Sequence, residues 1–153
     1  LTAARSGEVR GATWSEIDLQ RKVWTISAER TKAGREHRVP LSDRAVAILS
    51  EAQQLAGAAN ATLVFASASG RELSDMTLTK TVRALGHDFT VHGFRSSFRD
   101  WAGETTAHPR DVIEAALAHQ LENKTEAAYF RSDLFEKRRA LMDDWAAHCA
   151  GTR

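Results

Sequence analysis

Tyr129 is the only tyrosine in the chain, and it sits in Ala127-Ala128-Tyr129-Phe130, where small neighbours can leave its hydroxyl reachable. His92 and Arg95 are three positions apart at a predicted helix start, so they share a face. A helix start also offers unpaired backbone N–H groups, which suit a phosphate. Arg5 lies in Arg5-Ser6-Gly7-Glu8, again at a helix start. His119 follows the alanine-rich Ala115-Ala116-Leu117-Ala118. Residues 30 to 38 carry Arg30, Lys32, Arg35, His37 and Arg38, with only Glu36 opposing them. Taken singly, each feature has an ordinary reading that outweighs chemistry. Tyr129 packs on a helix, His92 and Arg95 form a polar cap pair, Arg5 pairs with Glu8, and His119 caps a helix C-terminus. The basic groups at 30–38 and at Lys137-Arg138-Arg139 are then solvated surface.

Other chemistries find little support. The six histidines are His37, His87, His92, His108, His119 and His148, and no pair shows the His-x-x-x-His spacing of a helical metal site. Cys149 beside His148 is a lone pair at the tail. There is no Gly-rich phosphate loop and no nucleophile elbow. A metal or other cofactor is not expected.

The order of the candidates changes their weight. Arginine, hairpin lysine, His-x-x-Arg, histidine and tyrosine follow one another as they do in the tyrosine recombinases, and the surrounding words agree. Thr2-Ala3-Ala4-Arg5-x-x-Glu8 with Trp14-Ser15-Glu16-Ile17-Asp18 resembles the first arginine box. Thr31-Lys32-Ala33-Gly34 with Arg38-Val39-Pro40-Leu41 resembles the hairpin lysine segment. His92-Gly93-Phe94-Arg95 resembles the second box, and Leu117-Ala118-His119 with Ala127-Ala128-Tyr129 the third box and nucleophile. The tail, Asp133-Leu134-Phe135-Glu136-Lys137-Arg138-Arg139 and then Trp145, resembles the integrases of prophages and genomic islands. Each box is weak alone; together, in this order and over nearly the whole chain, they are strong.

The resemblance implies site-specific DNA recombination or integration at double-stranded attachment sites. Tyr129 is then the nucleophile that forms a 3′-phosphotyrosyl link, which conserves the bond energy for rejoining. Arg5 and Arg95 offer forked donors to the non-bridging phosphate oxygens, worth about 3–4 kcal/mol per donor removed. Lys32 is the general acid for the leaving 5′-oxygen, His92 the base or proton relay, and His119 a further hydrogen bonder. Arg30, Arg35, Arg38 and Arg99 are candidate DNA contacts. The expected partners are DNA, further copies of the chain as a tetramer, and accessory DNA-bending proteins, in a bacterial cytoplasm. Residues 131–153 are the candidate for exchange between copies. The alternatives are a type IB topoisomerase, against which the tail argues, and a truncated remnant that serves only as a DNA-binding or interaction module.

The elements that must hold these residues are legible in outline. Ser6 is a plausible N-cap for a short helix, with Val9 and Ala12 on one side. Ile17, Val23, Trp24 and Ile26 predict strands around 14–18 and 22–28. Lys32-Ala33-Gly34-Arg35 reads as a turn and residues 36–41 as the returning strand, with Pro40 at its end or on an edge. Ser42 caps a helix whose apolar face is Val46, Ile48, Leu49 and Leu55. Residues 57–60 and 67–70 read as loops around Leu63-Val64-Phe65, and Ser74 caps a helix to about Leu85. Helices follow at about 93–103, 110–118, 123–130 and 133–148, with Pro109 at a first helical position. Asp133 with Glu136 outlines a capping box. The class is α+β: a small antiparallel three-stranded sheet near the start, packed on a larger helical body.

The bulk numbers are compatible and uninformative about partners. The chain has 153 residues, 42% hydrophobic and 27% charged, which suits one domain with a real core. Its net charge of +1 gives no support to nucleic-acid binding, so local charge has to carry that argument. One cysteine excludes an internal disulfide. No apolar stretch approaches the roughly 20 residues that span a bilayer. The start at Leu1, almost on Arg5, suggests residues 1–153 are a catalytic domain cut from a longer protein, without its arm and core DNA-binding domains.

Overall fold

The apolar alternation near the start builds a small sheet in this computed structural model, which describes residues 1–56, 62–119 and 133–151. Strands β1 (Ile17–Asp18), β2 (Val23–Ile26) and β3 (His37–Pro40) pair antiparallel in that order. Trp24 lies opposite Ile17 on one side and Val39 on the other. Along β2 the side chains alternate, with Trp24 and Ile26 buried and Val23 and Thr25 half-buried. The strands are shorter than the sequence suggests. Trp14–Glu16 forms a 3-10 turn instead, because the Glu16 carboxylate accepts the Thr13 N–H (3.2 Å) and the Trp24 indole N–H (3.1 Å). A second 3-10 turn, Ala28–Arg30, ends β2.

Helix α1 (Ser6–Arg10) starts one residue earlier than a Ser6 cap would place it. Glu8 reaches back to accept the Arg5 backbone N–H at 2.8 Å, so Arg5 holds the cap position. Ser42 precedes helix α2 (Asp43–Ala56), and its carbonyl accepts the Val46 N–H at 2.9 Å. Leu55 is 88% exposed and does not belong to the apolar face assigned to it; Ala45 and Leu49 do the burying. Helix α3 (Asp75–Ala84) follows Ser74 as expected. The predicted loop at 57–60 and helix at 123–130 lie outside the described residues.

Helix α4 (Gly93–Thr105) buries Arg95, Phe98, Trp101 and Ala102, one face at helical spacing. Helix α5 (Arg110–Ala116) starts just after Pro109, whose carbonyl accepts the Val112 N–H at 3.0 Å. It ends in a Schellman arrangement: the His119 N–H bonds to Glu114 O (3.0 Å) and the Ala118 N–H to Ala115 O (3.1 Å). Ala118 therefore adopts φ 51°, a left-handed conformation that glycine usually supplies.

Helix α6 (Phe135–Cys149) begins after Leu134, also left-handed at φ 56°. Asp133 Oδ1 accepts the Phe135 N–H (3.2 Å), but Glu136 pairs with Arg139 and does not complete a capping box. Leu141 and Met142 pack with Phe98, Trp101, Val112, Ile113 and Leu117 in the helical core. Within a single chain, Phe135–Cys149 is thus seated on the chain's own core. A second core lies under the sheet, where Trp24, Ile26, Val39 and Leu41 meet Leu49 of α2 and Val64.

Arg138 joins the two halves. It is 1% exposed, not solvated surface. Its guanidinium donates to Arg38 O on β3 (2.5 Å), Asp133 O (2.7 Å) and Asp133 Oδ2 (3.0 Å). A buried charge persists only when so paired. His37, at the start of β3, is pushed down to about 4 by burial and by the nearby Arg138 charge.

Two outcomes are expected. Ala118→Gly should stabilise the fold by about 0.5–1 kcal/mol, since the left-handed penalty it removes exceeds the unfolded-chain entropy that glycine adds; a urea titration checks this, and a lower midpoint contradicts it. His37 binds its proton more readily in the unfolded chain. Stability should therefore fall as pH drops from the ordinary histidine value, about 6.5, towards the folded value. His37→Gln should flatten that dependence, by at most about 1.4 kcal/mol per pH unit. Equal loss in both proteins between about pH 7 and about pH 5 in denaturant titrations would count against His37 as the source.

Candidate active site

Arg5, Lys32, His92 and Arg95 line one open cleft of about 530 Å³, together with Glu8, Arg30 and Asp75. Arg5 comes from the cap of α1, Lys32 from the β2–β3 connection, and His92 and Arg95 from the start of α4. Segments far apart in sequence thus present cations to one space. His119 joins from the end of α5, with its Nε2 3.4 Å from Arg95 Nη2. Tyr129 lies outside the described residues.

The arginines are held differently. Arg5 Nη1 pairs with Glu8 Oε1 at 3.0 Å, and Glu8 is only 4% exposed. Arg95 is buried on the inner face of α4. It donates Nη2 to Leu117 O at 2.8 Å and Nη1 to Ala3 O. A guanidinium carries more N–H donors than these contacts use, so some remain for a ligand. Burial, then the Arg5 charge, lowers the Arg95 pKa from its ordinary value, with Glu8 opposing. Such like charges side by side are an arrangement that an incoming anion relieves.

Lys32 is exposed on the turn, and the turn itself is built by buried Thr31. The Thr31 hydroxyl donates to Arg35 O (2.7 Å) and accepts the Arg35 N–H (3.1 Å). Gly34 takes φ 63° to close it. His92 occupies the cap position of α4, and the Arg95 N–H bonds to its carbonyl at 3.0 Å.

The four arginines singled out as DNA contacts are not equally free. Arg30 pairs with Glu16 and donates Nη2 to Glu8 O at 2.7 Å, close over Gly11, where an added Cβ would meet that nitrogen at 2.9 Å. Arg38 binds Asp133 through Nε and Nη2, both at 2.8 Å, and stacks on Phe135 at 4.6 Å. Arg99 Nε donates to Glu114 Oε1 at 2.8 Å. Arg35 is exposed on the turn. Glu114 is a site neighbour that no sequence motif marks. Its link to Arg99 carried no spacing signal, because the packing of α4 against α5 sets it.

The described residues contain no cluster of histidine, cysteine or carboxylate able to hold a metal ion. Among them, no helix is long and apolar enough to cross a membrane.

Comparison with known proteins agrees with this arrangement. The model of the phage integrase family matches residues 1–134. The chain is 38% identical over 148 residues to the prophage integrase IntA of Escherichia coli K12, covering 95% of this chain and 36% of that protein. It is 32% identical over 163 residues to the integrase of Enterobacteria phage P4, covering 95% of this chain and 37% of that protein. The chain thus spans a little over a third of the length of these relatives. The crystal structure of the XerA recombinase superposes with a TM-score of 0.67 at 19% identity, over 90% of this chain and 50% of that one, which shows the shared fold. With a family match over residues 1–134, this chain belongs to the phage integrase family.

Proposed function

We propose that the chain is the catalytic part of a site-specific recombinase that cuts and rejoins DNA at attachment sites through Tyr129. The observation that carries this reading is the convergence of Arg5, Lys32, His92 and Arg95 on one cleft, with His119 against Arg95. A phosphodiester in the cleft meets the Arg5 and Arg95 forks at its non-bridging oxygens, where charge builds in the transition state. The Tyr129 oxygen attacks phosphorus as its proton passes to His92. The bond to the 5′-oxygen breaks, and that oxygen takes a proton from Lys32. The 3′-phosphotyrosyl link is undone when a 5′-hydroxyl attacks in the reverse sense, so no ATP is needed. The exposed position of Lys32 suits a general acid that approaches with DNA bound. Strand exchange needs several active sites, so the chain acts as a tetramer on DNA, in the cytoplasm, with DNA-bending proteins assisting. Arg35 is the DNA contact best placed outside the cleft.

Nicked attachment-site duplexes, read on a denaturing gel, test this directly. Wild type should give a DNA-linked band, and Tyr129→Phe none, while gel-shift affinity is kept. A band that persists in Tyr129→Phe would mean another nucleophile.

Arg5→Ala should slow cleavage by roughly 100- to 1000-fold. Arg95→Lys keeps the charge but loses the fork and both carbonyl contacts, so it should also fail. Normal single-turnover cleavage by either variant would remove that arginine from the assignment.

A further inference from the structure

We propose that Glu114, clamped by Arg99, is a positioning residue that confines proton exchange on His119 to Nε2, the nitrogen beside Arg95. This rests on the recombinase reading for its role in the reaction, but not for its geometry.

Glu114 grips His119 twice. Its backbone carbonyl accepts the His119 N–H at 3.0 Å, within the cap that ends α5. Its carboxylate Oε2 lies 2.6 Å from His119 Nδ1. The other oxygen, Oε1, accepts from Arg99 Nε at 2.8 Å. The carboxylate is mostly buried, and a buried carboxylate is sustained by such donors. Burial works to raise the Glu114 pKa, but the hydrogen bonds and charges of His119 and Arg99 outweigh it and hold the group below its ordinary value. Glu114 is therefore ionised at neutral pH, and an ionised carboxylate only accepts. Nδ1 must carry a hydrogen.

The opposite edge of the ring agrees, through a longer and weaker contact that does not fix the tautomer by itself. Nε2 faces Arg95 Nη2 at 3.4 Å, and a guanidinium only donates. In the neutral ring Nε2 therefore holds the lone pair. A proton taken up by the ring has one place to go, on the side of Arg95 and the cleft. This is the logic by which a carboxylate fixes the tautomer and orientation of a catalytic imidazole. With a phosphate lying against Arg95, a protonated Nε2 donates to its oxygen, and an unprotonated one accepts from a hydroxyl. Arg99 then acts on the reaction through Glu114 and not by touching DNA.

The test has two arms. In the first, the chain is labelled with nitrogen-15 histidine and the His119 ring is assigned by loss of its signals in His119→Gln. Wild type should show neutral His119 protonated at Nδ1 alone. Glu114→Ala, in which alanine suits the helix, should shift the ring towards a mixture of both tautomers. A wild-type ring protonated at Nε2 overturns the proposal without any variant. So does a tautomer unchanged in folded Glu114→Ala.

The second arm measures single-turnover cleavage of the nicked duplex. Glu114→Ala should lose on the order of tenfold or more, but no more than His119→Ala, with DNA affinity unchanged. The double variant should match His119→Ala, since Glu114 acts only through the ring. Losses that multiply would assign Glu114 a separate role and overturn the proposal. If wild type forms no DNA link at all, the recombinase reading fails, and the tautomer arm still decides the geometry.

Discussion

The buried guanidinium of Arg95 is the contact on which the arrangement of the cleft depends. It stands on the inner face of α4, in line with Phe98 and Ala102 of the core. From there it takes the carbonyls of Ala3 and Leu117 and reaches the His119 ring. One side chain thereby fixes the chain start, the end of α5 and the first turn of α4 relative to one another. A lysine could not do this, because a point charge lacks the planar fork that satisfies carbonyls in several directions at once.

Such a site is costly to build, and the costs are visible. Arg95 and Arg5 are brought together with buried Glu8 between them as counter-charge. Ala118 and Ala3 both adopt left-handed backbone, at φ 51° and 50°, beside the two carbonyls or residues that Arg95 and His119 need. Strain of this kind is held only where the surroundings over-determine it, and it concentrates at functional sites. The supporting shell is correspondingly stiff: Glu114 spans Arg99 and His119, Thr31 ties off the lysine turn, and Arg30 braces α1 against Glu16. Lys32 and Arg35 are left exposed on that braced turn.

The sheet and the helical body bury separate cores, and Arg138 is one of the contacts that couple them. Because it binds the β3 backbone and Asp133 together, α6 could leave its seat only by breaking the hydrogen bond to Arg38 O and uncovering the helical core. Arg38 and Arg139 then stack against Phe135 from outside. The basic run near the tail is thereby largely a structural device, although composition alone would place it at the surface.

What the sequence determined by itself was the order of chemistry and the period of the elements. Arg5, Lys32, His92-Gly93-Phe94-Arg95 and His119 are local words, and local words survive translation into one dimension. The α+β class, the three-strand sheet and the helices Gly93–Thr105, Arg110–Ala116 and Phe135–Cys149 follow from periodicity in the same way. The tertiary structure alone decided which charges are free. Arg138, Arg38 and Arg99 look in sequence like Arg35, yet one is buried and two are engaged by carboxylates far along the chain. It also decided the exposure of Leu55, which helical spacing assigns to the core, since amphipathic period says which face is apolar but not how far the neighbouring surface extends. Glu114 carried no motif at all. Its meaning lies in two distances: to His119, which the local cap of α5 sets beside it, and to Arg99, which only the packing of α4 against α5 brings within reach.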